Sequence, residues 1–399
     1  MRSGPGGRFH LAYCTNVHPG DDWAETWAGL VRYLPPLKAA LAPHVPFGVG
    51  LRLSDLAARE LLEGDRLERF AEWLDAHGLY AFTLNGFPYG SFHRTVVKDN
   101  VYAPDWTRTE RLDYTARLAR ILARLLPDGV EGGISTVPVS YKRWHADPAA
   151  REAAFDSGVD QLLDAARLLA RLAQETGRVI HLDLEPEPDC LLEDAAETVA
   201  LFERLLRRAG PGEAAMVLRH LRVCWDVCHA AVEYEATADA LQRFDALGIS
   251  IGKLQLSSAL RAPLGSPAER QALCRRLQPF AESTYLHQVV ERRADGTLRR
   301  HADLGDALGG IDDLQAQEWR VHFHVPIFAA DLGGLSTTRP ELQATLDLLL
   351  LRPFCDHVEI ETYTWDVLPP ALRLDLPQSL LREYQWVLGA MQEATACAA

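Results

Sequence analysis

Residues 180–188 read Ile-His-Leu-Asp-Leu-Glu-Pro-Glu-Pro, and the first six of them decide the fold. Side chains of an extended strand alternate between its two faces, so His181, Asp183 and Glu185 share one face while Leu182 and Leu184 share the other. A strand inside a doubly wound parallel sheet is covered by helices on both sides and reads apolar on both. This one does not. The same split recurs downstream. RVCWDV sets Arg222, Cys224 and Asp226 against Val223, Trp225 and Val227, and GKLQLSS sets Lys253, Gln255 and Ser257 against Leu254 and Leu256. RVHFHVP separates Arg320, His322 and His324 from Val321, Phe323 and Val325, and VEIETY separates Glu359, Glu361 and Tyr363 from Val358 and Ile360. One apolar face toward surrounding helices and one polar face toward a common centre predict a closed barrel with a functional interior.

Short β-rich runs alternate along the whole chain with long Ala/Leu/Arg-rich helical runs, such as 107–126 and 149–175, where Leu recurs at three- and four-residue steps. The expected fold is therefore α/β, a (β/α)8 TIM barrel formed by residues 1–399 as one domain. Strands are expected near 9–17, 47–53, 80–85, 133–138, 179–185, 221–227, 249–257, 320–327 and 358–363, which is one more than the barrel holds. The surplus falls between Ser258 and Phe328, where Asp295-Gly296 between two extended runs signals a hairpin. An inserted β-hairpin over 284–304, between the seventh and last barrel strands, is the expectation. The stretch Gly86–Trp106 is long for a loop and reads as a second candidate lid.

Of the 399 residues 48% are hydrophobic and 24% charged, enough to bury a large core. A formal charge of -14 disfavours nucleic acid. The sequence contains no apolar run of bilayer-spanning length and no signal-peptide pattern, so the expectation is a cytoplasmic protein without membrane insertion. Its seven cysteines are widely spaced, with no C-x-x-C pair, and read as free thiols; Cys224 and Cys228 read as small buried residues.

Glu185 ends its strand because Pro186 and Pro188 stop the ladder, which leaves the carboxylate at a strand's C-terminal end, where barrel active sites lie. Asp226 ends the next strand with His229 three residues on, Gln255 stands at equivalent depth on the seventh, and Glu361 on the last. Carboxylates converging in a half-buried mouth repel one another unless a cation neutralises them. Oxygen ligands, one amide and nearby imidazoles suit Mn²⁺, Mg²⁺, Co²⁺ or Zn²⁺. The plain alternative is a structural network paired with Arg52, Arg222 or Lys253. His322 and His324, on one strand face, are candidates to contact substrate or to ligate the metal. Asn16 and Tyr363 are further substrate candidates, with capping and aromatic packing as their ordinary alternatives.

LEPEP, WDVCH, KLQLS and IETYTW, in this order, resemble the metal-ligand strands of the xylose-isomerase-like barrel superfamily of sugar isomerases and epimerases. The resemblance covers most of the chain. HLAYCTNVHPGDDW, RVHFHVPIF and ETYTWDVLP are in addition similar to the metabolite traffic protein EboE family. The superfamily resemblance implies metal ligands at Glu185, Asp226, Gln255 and Glu361, with Gln255 departing from the superfamily's histidine. It implies substrate contact for His229 and an acid/base pair in Glu185 and Glu361. The expected function is a metal-dependent isomerase or epimerase-like protein acting on a small polyhydroxylated or keto metabolite in a biosynthetic or metabolite traffic pathway, with His229, His322, His324, Asn16, Arg52, Lys253 and Tyr363 binding substrate or supporting the ligands. A non-catalytic metabolite-binding or carrier barrel is the alternative; a metal-dependent phosphodiesterase or endonuclease is disfavoured by the net charge. Homo-oligomerisation and association with pathway proteins stay open.

Overall fold

The computed structural model describes every residue except 367, 369, 371, 372, 374, 398 and 399, so two positions of ETYTWDVLP lie outside the described residues. Seven strands follow one another, separated by helices: β1 (Phe9–Tyr13), β2 (Phe47–Arg52), β3 (Leu79–Asn85), β4 (Gly132–Thr136), β5 (Ile180–Leu184), β6 (Leu221–Asp226) and β7 (Ile251–Leu256). An insertion then builds β8 (Leu260–Pro263), β9 (Val289–Arg293), β10 (Leu298–His301), β11 (Ala316–Val321) and β12 (Ser336–Thr337). The chain returns through helix Arg339–Leu351 to β13 (His357–Ile360), which lies parallel to both β1 and β7. Parallel pairing continues from β7 through β6, β5, β4 and β3 to β2, and a parallel bridge between Cys14 and Gly50 brings β1 back to β2. The result is an eight-stranded parallel ring clad in helices.

The expected lone hairpin is part of something larger. β9 and β10 pair antiparallel, Val289 opposite His301, but β9 also pairs with β11, and β11 with β8, in a five-stranded antiparallel sheet ordered β10-β9-β11-β8-β12. The surplus strand expected at 320–327 is β11. It ends at Val321, and His322 and His324 lie past its end. Alternation alone does not distinguish a barrel strand from one in a packed antiparallel sheet, since both bury one face.

The apolar faces read from the sequence point outward: Leu182, Leu184, Val223, Trp225, Leu254, Leu256, Val358 and Ile360 are buried under the helices, each worth roughly 1.5–3 kcal/mol when fully covered. Helix Pro148–Thr176 shows how the sequence starts and stops these covers: Asp147 caps it, Pro148 takes its first position, and Gly177 at φ 70° ends it. No helix among the described residues is long and apolar enough to cross a membrane. The described cysteines Cys14, Cys190, Cys224, Cys228, Cys274 and Cys355 carry free thiols.

The inward faces are polar in layers. Deepest, His181 Nδ1 lies 2.6 Å from Asp183 Oδ1, both fully buried. Above them Lys253 Nζ meets Glu359 Oε2 at 2.7 Å, also fully buried. Room for these groups comes from glycine two strands away round the ring: a Cβ on Gly50 would stand 1.7 Å from Glu359 Oε1, and one on Gly252 2.0 Å from Asp183 Oδ1. Arg222, expected to point inward near Asp226, is instead at the opposite end of β6, its guanidinium 2.7 Å from Glu131. At the top, helix Leu376–Cys397 places Glu383 where its Oε1 accepts from Thr362 Oγ1 at 2.6 Å and from the Ile327 N–H at 3.3 Å. That single carboxyl ties together the two segments that carry Glu361 and the histidines.

Two expectations follow. Gly50→Ala is expected to destabilise the chain by about 1–3 kcal/mol in urea unfolding, because Glu359 cannot yield without breaking its pair with Lys253; a change within experimental error would contradict the packing. Burial, opposed by the Thr362 and Ile327 hydrogen bonds, raises Glu383 from 4.5 to about 8. The folded chain therefore holds this proton more tightly than the unfolded one, and the associated stability, complete below about pH 4.5, is lost as pH rises toward 8. Wild type is expected to fall behind Glu383→Gln by about 1.4 kcal/mol per pH unit across that window; a difference independent of pH would refute it.

Candidate functional site

Glu185 follows β5, Asp226 closes β6 and Glu361 follows β13, so all three carboxylates stand at the C-terminal mouth of the ring. One oxygen from each lies within 4.8 Å of the others, and all three residues are buried. Their surroundings orient them. Asp226 caps the short helix Val227–Val232, its Oδ1 accepting from the His229 N–H at 3.0 Å and from Ser257 Oγ at 2.6 Å. Glu361 Oε1 accepts from Asn16 Nδ2 at 2.8 Å and from Asn85 Nδ2 at 3.0 Å. Glu185 Oε2 and Asp226 Oδ2 are buried without a partner. Burial first, then the neighbouring carboxylates, push Glu185 and Glu361 well above the ordinary carboxylate range.

These residues fit a divalent cation. Each orphaned buried acceptor costs roughly 1–3 kcal/mol, and a cation among the three carboxylates would satisfy both orphans while removing the mutual repulsion. Glu185, Asp226 and Glu361 would hold it.

Beside the carboxylates three imidazoles meet. His229 Nε2 is 3.1 Å from His322 Nε2 and 3.4 Å from His324 Nε2, and the last two are 3.2 Å apart. Burial lowers all three below the ordinary histidine value, helped at His229 by His324 and at His322 by both of its neighbours.

Of the residues expected from the sequence, Asn16, Glu185, His229, His322, His324, Glu361 and Tyr363 line one cavity. Asp226 lies against it through the carboxylate cluster. Three others are not on its wall. Gln255 turns its Oε1 to Cys224 Sγ, 3.4 Å away and two residues below Asp226 on β6, with its Nε2 unpartnered. Lys253 is held below by Glu359. Arg52 donates to the carbonyls of Gly20 and Gly90, where it fastens loops rather than facing the carboxylates.

The cavity also contains residues that sequence reasoning passed over. Asn85 ends β3, and its position at a strand's C-terminal end was the available signal. Glu187 is raised by burial to about 8, against the pull of a 2.7 Å hydrogen bond from Tyr102. It sits in the same LEPEP run as Glu185. The roof is formed where the loop after β3 meets the insertion: Val97 and Lys98 donate their N–H groups to the Thr284 carbonyl, Lys98 Nζ is 2.6 Å from Asp303, and the rings of Phe92, Tyr285 and Tyr363 pack together.

No family model matches the chain, and no curated protein does. Among solved structures it is similar to a xylose-isomerase-like TIM barrel protein from Mycobacterium smegmatis in complex with magnesium, at 12% identity and TM-score 0.52, over 99% of both chains. It is also similar to the IolI protein with a bound zinc atom, at 12% identity and TM-score 0.49 over 96% of this chain and 99% of that one. A third is the 3-keto-D-glucoside 4-epimerase YcjR from E. coli, at 17% identity and TM-score 0.38 over 69% and 90%. The likeness to the mycobacterial protein, with the parallel ring and its helices, gives this chain the fold of the xylose-isomerase-like TIM barrels.

Proposed function

We propose that the chain is a metal-dependent isomerase or epimerase-like enzyme acting on a small polyhydroxylated or keto metabolite at the barrel mouth. The observation that carries this reading is the convergence of Glu185, Asp226 and Glu361 with two buried oxygens lacking any partner. In it the carboxylates hold Mn²⁺, Mg²⁺, Co²⁺ or Zn²⁺, with Gln255 the weakest member of the expected ligand set because its amide faces Cys224. Magnesium in the mycobacterial protein of like fold agrees with such an ion. Residues 1–399 act as one barrel domain, and the insertion containing 284–304 covers the mouth. The EboE family and a place in metabolite traffic rest on the motifs at 10–23, 320–328 and 361–369.

A bound divalent ion would polarise a substrate carbonyl and make the neighbouring C–H more acidic. Glu185 and Glu361 extend from strands β5 and β13, which are separated by β6 and β7 around the ring, so they approach a bound molecule from different sides. One carboxylate removes the proton and the other returns it to the opposite face. Burial and the neighbouring carboxylates raise the proton affinity of both groups. Asn16 and Asn85 fix Glu361 through Oε1 and leave Oε2 to carry the proton. The roof of Phe92, Tyr285 and Tyr363 limits water at the reacting carbon. A metabolite-binding or carrier barrel is the second reading, favoured by Gln255 where the superfamily pattern has histidine.

The test is solvent deuterium exchange into keto sugars and keto acids, followed by NMR with Mn²⁺ or Mg²⁺ present. Exchange next to the carbonyl is expected, falling by at least about 100-fold in Glu185→Gln and Glu361→Gln; retention of a ligand without exchange would leave the carrier reading. Loss of a donor to Glu361 raises its pKa, so Asn85→Ala is expected to move the acid limb of the kcat profile upward by about one pH unit. An unmoved limb would show that Glu361 is not the titrating group.

A further inference from the structure

The three imidazoles at the mouth turn the same ring atom toward one point, and the opposite nitrogen of each ring fixes its tautomer. His229 Nδ1 is 3.0 Å from the Pro186 carbonyl oxygen and His324 Nδ1 is 2.9 Å from that of Glu361. A carbonyl only accepts, so both Nδ1 atoms carry the proton and donate it. His322 Nδ1 is 2.8 Å from Gln288 Oε1, and that amide's orientation is set by its Nε2, which donates to the Pro188 carbonyl at 3.2 Å. His322 is therefore protonated on Nδ1 as well. Each neutral ring then presents a bare Nε2 lone pair to the other two.

Three buried acceptors at 3.1, 3.2 and 3.4 Å have no hydrogen between them. A fourth proton, placed on one Nε2, donates to a single neighbour and leaves the third lone pair without a hydrogen. A cation satisfies all three at once. Nitrogen ligands bound at about 2.0–2.1 Å with angles of about 100–110° stand about 3.1–3.4 Å from one another. Backbone carbonyls and an amide receiving the Nδ1 protons are also the partners that orient metal-bound imidazoles.

We propose that His229, His322 and His324 form a three-imidazole site for a borderline transition-metal ion, zinc or cobalt, separate from the carboxylate cluster. Two of its ligands come from the segment after β11, so the insertion builds it. The rings line the cavity, which leaves a further coordination position open to water or a substrate oxygen. An Asp226 oxygen lies within 4.8 Å of one ring nitrogen each of His229 and His324, and Asp226 also belongs to the carboxylate cluster, so the two centres adjoin. The site does not depend on proton exchange by Glu185 and Glu361.

The full chain, stripped by chelator, is titrated with Co²⁺ while the visible d–d absorption and bound cobalt are recorded. Wild type is expected to show the bands of a four- or five-coordinate nitrogen site. His322→Ala/His324→Ala is expected to weaken this binding by at least about 100-fold, whereas Glu185→Gln/Glu361→Gln changes it by less than about threefold. Zinc-edge X-ray absorption on wild type given no more than one zinc per chain needs no variant to fold and is expected to show outer-shell scattering from about three imidazoles per zinc. No cobalt bound by wild type, a site lost with the glutamates but kept without the histidines, or a zinc shell of oxygen alone would each overturn the proposal. The second of these outcomes would leave the carboxylate reading intact. The expected pattern without deuterium exchange would retain the imidazole site and remove the isomerase.

Discussion

A buried charge has to be neutralised where it stands, and the interior of this barrel is organised by that requirement. Two unit charges 4 Å apart interact by roughly 4 kcal/mol at the effective dielectric of a protein site. In the middle of the barrel Lys253 meets the demand by pairing with Glu359. At the mouth, Glu185, Asp226 and Glu361 have no such paired counter-charge among the described residues: the ionic contacts of Glu185 and Glu361 are to His229 at 3.8 Å and His324 at 4.0 Å, and burial disfavours the charged form of both rings. Lys98, on the cavity wall, is paired with Asp303. The mouth is thus a built excess of acceptors, both oxygen and nitrogen, and its chemistry is that of a cation site.

The insertion between β7 and β13 changes what this mouth can hold. It delivers His322 and His324, positions His322 through Gln288, and meets the loop after β3 to form a roof. The ring supplies carboxylates from its own strand ends, while nitrogen donors come mainly from outside the ring. Helix Leu376–Cys397 locks these two sources together through Glu383.

The period-two split in HLDLEP, RVCWDV and VEIETY made the ring strands legible, because burial of one strand face against helices leaves an apolar register, while the same split in RVHFHVP belongs to the antiparallel insertion. It also exposed Glu185, Asp226 and Glu361, since prolines and capping positions mark strand ends. It was silent on what depends on three-dimensional closure. Arg222 shares a face with Asp226 yet belongs to the opposite end of the barrel, because a strand of six residues spans both ends. Gln255 shares its face with Ser257, and it is Ser257 that reaches Asp226. Asn85 lacks a charge or a neighbouring motif to single it out. The meeting of three Nε2 atoms from two distant segments is fixed by backbone carbonyls that no sequence pattern reveals.

The most direct measurement is the anomalous difference density of crystals grown with zinc or manganese, collected at the edge of the metal supplied. Peaks within coordination distance of the Glu185, Asp226 and Glu361 carboxylates are the result this account predicts. Crystals without such density, in which protons and ordered water satisfy the same oxygens, would contradict it.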